Sequence, residues 1–281
     1  MKVRDARRLG SLVSTALLIL PPPASTQSRP AASTSFETRA AMEAFLSRAN
    51  VVSDPGPAAG ASWRVTLDDG TRKHDAAVQT ADGSDPTGRH FRYNVAAYEL
   101  DKALGLNLVV PSIERQVAGG RPASLTWWLD NFAMNEIDRR RKRVEPPDQE
   151  SWNRQMQAVR VFDELISNTY RDTSPALYLN SVWDNLLITT DWTIWLTDHT
   201  GAFRVRNQLA DPESLTRCDR ALLRRLRELN RNDLQRLLGK YLSLRQLDAL
   251  EVRRAILVRH YDEEIATRGE PAVLYDLPAR R

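Results

Sequence analysis

Between residues 184 and 203 the apolar and polar positions predict one short β-hairpin. Leu186 to Thr189 and Thr193 to Leu196 are apolar runs of strand length, and Thr190-Asp191 between them is a tight polar turn. Asn185 stands before the first run and Asp198 after the second. Antiparallel pairing therefore brings both to one rim. Two readings of the pair are open. Polar residues bound most hairpins, and these two can simply end the strands. A carboxylate beside an amide oxygen is also the hard donor set that a magnesium ion on nucleotide phosphates takes.

The rest of the chain divides by periodicity. A helix is expected at about Phe36 to Ala49, then a small-residue loop from Asp54 to Ser62, then strands Trp63 to Leu67 and Ala76 to Thr80 around an Asp68-Asp69-Gly70 turn. A loop of this kind can lay backbone N–H groups over phosphates, with Gly60 and Ser62 as the candidate contacts. Its plainer reading is a chain reversal. Phe91 to Leu104 carries a helical pattern stopped by Gly105, and Val109 to Glu114 and Ser124 to Trp128 read as strands. Beyond Asp148 the pattern is helical: Trp152 to Ser167, Asp219 to Leu238 and Ser243 to Thr267. Ser243 and Gln246 have the spacing of a capping box. These elements predict an α+β protein, a small β-rich lobe over 34–130 and a helical lobe over 131–281 that holds the hairpin.

Composition changes this picture little. The chain has 281 residues, enough for two lobes with real cores, and its 42% hydrophobic and 27% charged content is that of an ordinary globular protein. Its net charge of +4 comes mostly from Lys2, Arg4, Arg7 and Arg8. Nothing in the remainder argues for a nucleic-acid partner. The basic start, the apolar run Leu9 to Leu20 and the Pro21-Pro22-Pro23-Ala24-Ser25 stop match a secretory signal peptide, so residues 1–33 are expected to be a leader and linker and the protein to be exported, periplasmic or extracellular. The run is shorter than the roughly 20 apolar residues of a membrane span, and none is expected in the mature chain. Cys218 is the single cysteine, and four scattered histidines show no ligand spacing. The basic run Arg139-Arg140-Arg141-Lys142-Arg143 is either a solvated helix face or a site for an anionic partner.

Several stretches, taken in order, carry a resemblance. Tyr98-Glu99-Leu100-Asp101-Lys102-Ala103-Leu104 with Val110-Pro111-Ser112-Ile113-Glu114-Arg115 resembles a helix and following strand of atypical kinases. Arg160 to Asn168 resembles the helix leading into their catalytic loop, and Asp184-Asn185-Leu186-Leu187-Ile188 with Leu196-Thr197-Asp198-His199-Thr200-Gly201 resembles their metal-binding pair. The group is the bacterial proteins similar to secretory-pathway Golgi kinases, and more distantly the phosphatidylinositol-kinase-like and HipA-like kinases.

The resemblance implies a two-lobed protein-kinase-like fold, ATP and Mg2+ as cofactors, and Asn185 and Asp198 as the metal ligands. It also exposes departures. Gln79 stands where the family has a phosphate-gripping lysine, and Asn94 where that lysine has its glutamate partner. Asn168-Thr169 is followed by Tyr170, which cannot accept a substrate proton near neutral pH, and Asp172 becomes the candidate catalytic base. An apparent insertion, Thr173 to Trp183, precedes Asn185. Three functions follow as alternatives: a divergent phosphotransferase moving phosphate from a Mg-nucleotide to an unknown protein or lipid hydroxyl, an exported non-catalytic pseudokinase acting as a binding module, or a shared fold with a different small ligand in its cleft. Gln79 and Asn94 are expected to face one cleft and touch, two neutral amides in place of an ion pair.

Overall fold

One buried face and one open face build the first sheet. The computed structural model describes residues 38–56, 62–81, 90–168, 185–278 and 280; the expected leader, Gly60 and Asp172 lie outside them. In β1 (Asn50–Ser53), β2 (Ser62–Asp68) and β3 (Lys73–Thr80) the strands pair antiparallel. Trp63, Val65 and Leu67 of β2 and His74, Ala76 and Val78 of β3 are buried. The alternate residues of β3, Asp75, Ala77 and Gln79, lie on the opposite face, as a strand's period of two requires. α1 (Arg39–Arg48), capped by Thr38 Oγ1, packs Phe45 and Leu46 into this core. β4 (Ser112–Val117) and β5 (Arg121–Trp127) complete a five-stranded antiparallel sheet in the order β1-β2-β3-β5-β4.

α2 (Arg92–Leu104) lies where the pattern put it, and Gly105 stops it with a left-handed φ of 68°. It is buried on nearly every side, and its apolar residues join the larger, helical core. Asp101, fully buried within it, pairs with Arg39 at 3.1 Å and accepts the Leu108 N–H at 2.8 Å. Burial lifts this carboxyl to about 6, so the Arg39 cation only partly offsets its loss of water.

The strand expected from Val109 begins three residues late. Val109 forms a parallel bridge with Leu196, and the Val110 N–H donates to the Leu196 carbonyl at 3.0 Å. That stretch thus belongs to the hairpin on the far side of the cleft rather than to the sheet. β6 (Phe132–Asn135), which the apolar pattern did not reveal, pairs with β7 (Leu186–Thr189), and β7 pairs with β8 (Ile194–Leu196). The predicted hairpin is therefore the inner part of a three-stranded sheet.

Helices form the rest. α3 (Glu136–Arg141) follows β6 directly, and α4 (Gln149–Ile166) buries Trp152, Met156, Val159, Phe162 and Ile166 along one face. The single helix expected from Asp219 to Leu238 is two, α5 (Arg220–Glu228) and α6 (Arg231–Leu238). Leu229 is extended, and Asn230 starts α6 with a reciprocal capping box to Asp233. An apolar periodicity that runs through both helices hides such a break. α7 (Leu244–Arg268) is capped by Ser243 and Gln246 as predicted, and α8 (Glu270–Val273) follows. Two short parallel strands, β9 (Cys218–Asp219) and β10 (Leu274–Tyr275), tie the chain's end back to the helical core. Among the described residues no helix is long and apolar enough to cross a membrane. The fold is α+β and two-lobed, with one core under the five-stranded sheet and a larger one among the helices.

Candidate functional site

A cavity of about 400 Å3 lies between the two sheets. The five-stranded sheet and α2 supply Ser62, Ala77, Gln79, Thr126 and Asn94; the three-stranded sheet supplies Asn185, Leu187, Thr197 and Asp198. Every described candidate residue, Ser62, Gln79, Asn94, Asn185 and Asp198, borders this one space. Ser62 and Gln79 are directly paired across β2 and β3, which explains why both arrive together.

Gln79 and Asn94 are in direct contact. Asn94 Nδ2 donates to Gln79 Oε1 at 2.7 Å and to Ser124 Oγ at 3.1 Å, while its Oδ1 accepts the His199 backbone N–H at 2.7 Å. Asn94 is almost fully buried, and its amide spends three hydrogen bonds holding α2, β3, β5 and the residue after Asp198 together. A neutral amide does this without burying an ion, which removal of a partner would leave stranded at a cost of about 3–5 kcal/mol. Gln79→Lys alone points a cation's donors at the Asn94 amide donors. We expect it to destabilise the protein by about 1–3 kcal/mol, the cost of an unsatisfied buried group. Asn94→Glu added to it offers acceptors to Lys, Ser124 and the His199 N–H together, and should recover much of that loss. Chemical denaturation of both single variants and the double variant measures the coupling; additive effects would show the pair to be uncoupled.

Asp198 sits in the left-handed region, φ 48°, which aspartate tolerates better than most residues. Its Oδ1 accepts from the Thr200 N–H and Oγ1, at 3.2 and 2.6 Å. Oδ2 makes no hydrogen bond to any described residue. Asn185 lies one position before β7, and its carbonyl accepts the Thr197 N–H at 3.0 Å, so the two hairpin ends adjoin. Its side chain is likewise uncommitted among the described residues. Two free, hard oxygens on the cavity wall fit a magnesium ion that keeps several waters or takes phosphate oxygens. No cluster of three or more His, Cys, Asp or Glu side chains that could hold a metal occurs among the described residues. Any ion here therefore needs ligand oxygens from outside this pair.

The other end of the cavity is aromatic. Trp127, Trp128, Leu129 and Phe132 line it, and Trp128 and Phe132 remain well exposed. Trp127 is stacked on His74 with 3.5 Å between ring centroids, and His74 Nε2 lies 3.0 Å from Asp130. The Trp128–Asn131 connection between the sheets is thereby fastened to β3. The sequence reading missed this aromatic end because β6 was not recognised, although Trp127-Trp128 stood in plain view. It also missed Ser124, whose hydroxyl gained its meaning only from Asn94.

A cleft between a β-rich and a helical lobe is the architecture of a kinase-like fold. No family model matches the chain, and no curated protein matches it either. A solved structure shares the fold. The structure of hydra Fam20 with sugar superposes with a TM-score of 0.56 at 13% identity, covering 84% of this chain and 92% of that one. A Helicobacter pylori proinflammatory kinase, CtkA, matches at a TM-score of 0.47 and 10% identity over 79% of this chain and 97% of that one. The fold is thus similar to that of an atypical, Fam20-like kinase.

Proposed function

We propose that the cleft binds a Mg-nucleotide and that the protein is a divergent kinase-like phosphotransferase acting on a protein or lipid hydroxyl. One observation carries this reading: five residues separated by up to 136 positions in sequence meet around a single cavity that has oxygen donors at one end and aromatic walls at the other. In that arrangement Asn185 and Asp198 would hold the metal, which bridges nucleotide phosphates and neutralises charge during transfer. Trp128 and Phe132, both exposed beside the cavity, offer flat surfaces for a base. Ser62 and Gln79 lie on the opposite wall, within the same space. Asp172 is the base of this proposal.

The amide pair favours a second reading, a non-catalytic binding module. Asn94 is committed to structural hydrogen bonds, and Gln79 supplies no positive charge to a phosphate. Calorimetry on the full chain with Mg-ATP, Mg-ADP and Mg2+ alone separates binding from its absence. An assay of phosphate release and self-phosphorylation then separates the two readings. Saturable, metal-dependent nucleotide binding with turnover supports the enzyme, binding without turnover the module. No nucleotide binding at millimolar ligand ends the enzyme reading and favours a binding module whose cleft no longer takes a nucleotide.

A further inference from the structure

A second cavity, of about 410 Å3, lies on the outer face of α4 and shares no lining residue with the cleft. Its size falls within the range of ligand pockets. Five arginines line it: Arg139 and Arg140 from α3, Arg154 and Arg160 from α4, and Arg217 just before β9. Among the described residues only two carboxylates do. Glu136, fully buried, is shared by Arg139 and Arg140, each Nε lying 2.6 Å from one of its oxygens. Glu150 is shared by Arg154 and Arg217, both at 2.9 Å. Arg160 has no carboxylate partner among the described residues. The Nε–H groups of Arg160 and Arg217 are buried without an acceptor.

We propose that this cavity is a binding site for a multiply charged phosphoryl anion. Positive charge exceeds negative by three on its walls, and guanidinium forks match phosphate oxygens in geometry as well as charge. The forks arrive from three separate elements, which suits a tetrahedral acceptor better than a planar one. They are also held in place. The Arg139 guanidinium lies over Trp152 at 4.9 Å and that of Arg217 over Tyr275 at 5.4 Å. Buried donors with no acceptor are rare in native proteins, and an anion in the cavity gives both of these one. The basic run in the sequence resolves accordingly. Arg139 and Arg140 turn into the cavity, whereas Arg141 and Lys142 pair with Asp138 on the surface.

The test is isothermal titration of the full chain with inorganic pyrophosphate in EDTA, so that a metal-dependent cleft stays silent. Saturable binding is expected, weakening with salt, and at least tenfold weaker in the Arg160→Gln/Arg217→Gln variant. Arg141→Gln, on the surface side of α3, should leave it within twofold. Glu150→Gln removes a half-exposed competitor for Arg154 and Arg217, and should tighten binding at least threefold. That gain keeps the test decisive if the double variant does not fold. Absence of binding, an unchanged or weaker affinity in Glu150→Gln, or equally tight binding of citrate would overturn the assignment.

Discussion

Arg253→Met is expected to lower the free energy of unfolding by about 3–5 kcal/mol, the range for removing a buried hydrogen-bonded charge from groups that depend on it. Arg253 lies in the middle of α7 and is fully buried, yet has no carboxylate partner among the described residues. Its guanidinium donates instead to three carbonyls, Leu165 at 2.8 Å, Arg204 at 3.1 Å and Arg206. Burial pulls its pKa down to about 10, still well above neutrality, so it stays charged there. From the other side Glu164 accepts the Ala210 and Asp211 N–H groups, at 2.7 and 2.8 Å. Gln246, already half of the α7 capping box, donates to the Phe203 carbonyl at 3.0 Å. The irregular chain after Asp198 therefore takes its order from three side chains of α4 and α7.

Methionine fills much of the arginine's volume but leaves three dehydrated carbonyls without that donor. Thermal unfolding should drop by about 6–15 °C in a domain of this size. Arg253→Lys should fall between the two, because one ammonium cannot reach all three acceptors. A methionine variant as stable as the parent would show that the cost of burying the guanidinium cancels its hydrogen bonds.

Asp198→Ala is the second large effect. On the function proposed for the cleft, it should abolish metal-dependent nucleotide binding, at least a hundredfold loss in affinity, about 2.7 kcal/mol. The fold should survive. Among the described residues Asp198 makes hydrogen bonds only to its near neighbour Thr200, so the change forfeits a local turn and relieves no buried charge. Alanine at φ 48° adds strain of about 1 kcal/mol, the cost of left-handed backbone for a residue other than glycine. Calorimetry with Mg-ADP and a parallel melt distinguish the outcomes. Metal-linked binding that persists in a folded variant would remove Asp198 from the site. Asn185→Ala should weaken binding less, since a neutral amide contributes less than a carboxylate to a divalent cation.

Local chemistry was legible where a residue's partners are close in sequence. The Leu186–Thr189 strand, the Gly105 stop and the Ser243/Gln246 cap are all decided within a few residues, by alternation, left-handed backbone or a side chain reaching its own helix end. The ordered set of motifs from Tyr98 through Arg160–Asn168 to Asn185 and Asp198 was sufficient to anticipate a kinase-like fold. Elements whose identity depends on distant partners were not legible. β6 is four residues with no buried run, and only pairing with β7 makes it a strand. Val109 reads as part of a sheet, yet bridges Leu196 instead.

By itself, then, the sequence determined most of the longer helices and strands, the Gly105 stop and the Ser243/Gln246 cap, and the two oxygen donors at one hairpin's rim, because those follow from short-range periodicity and turn chemistry. The contact between Gln79 and Asn94 was anticipated from the kinase resemblance, but tertiary structure added its partners, with Asn94 joined to Ser124 and the His199 N–H across the cleft. It also decided that Arg253 is a buried strut and not a surface charge, and that Arg139 and Arg140 turn inward beside Arg154, Arg160 and Arg217. Burial and long-range hydrogen bonding set the role of a polar side chain, and both are properties of the packed chain that no local window contains.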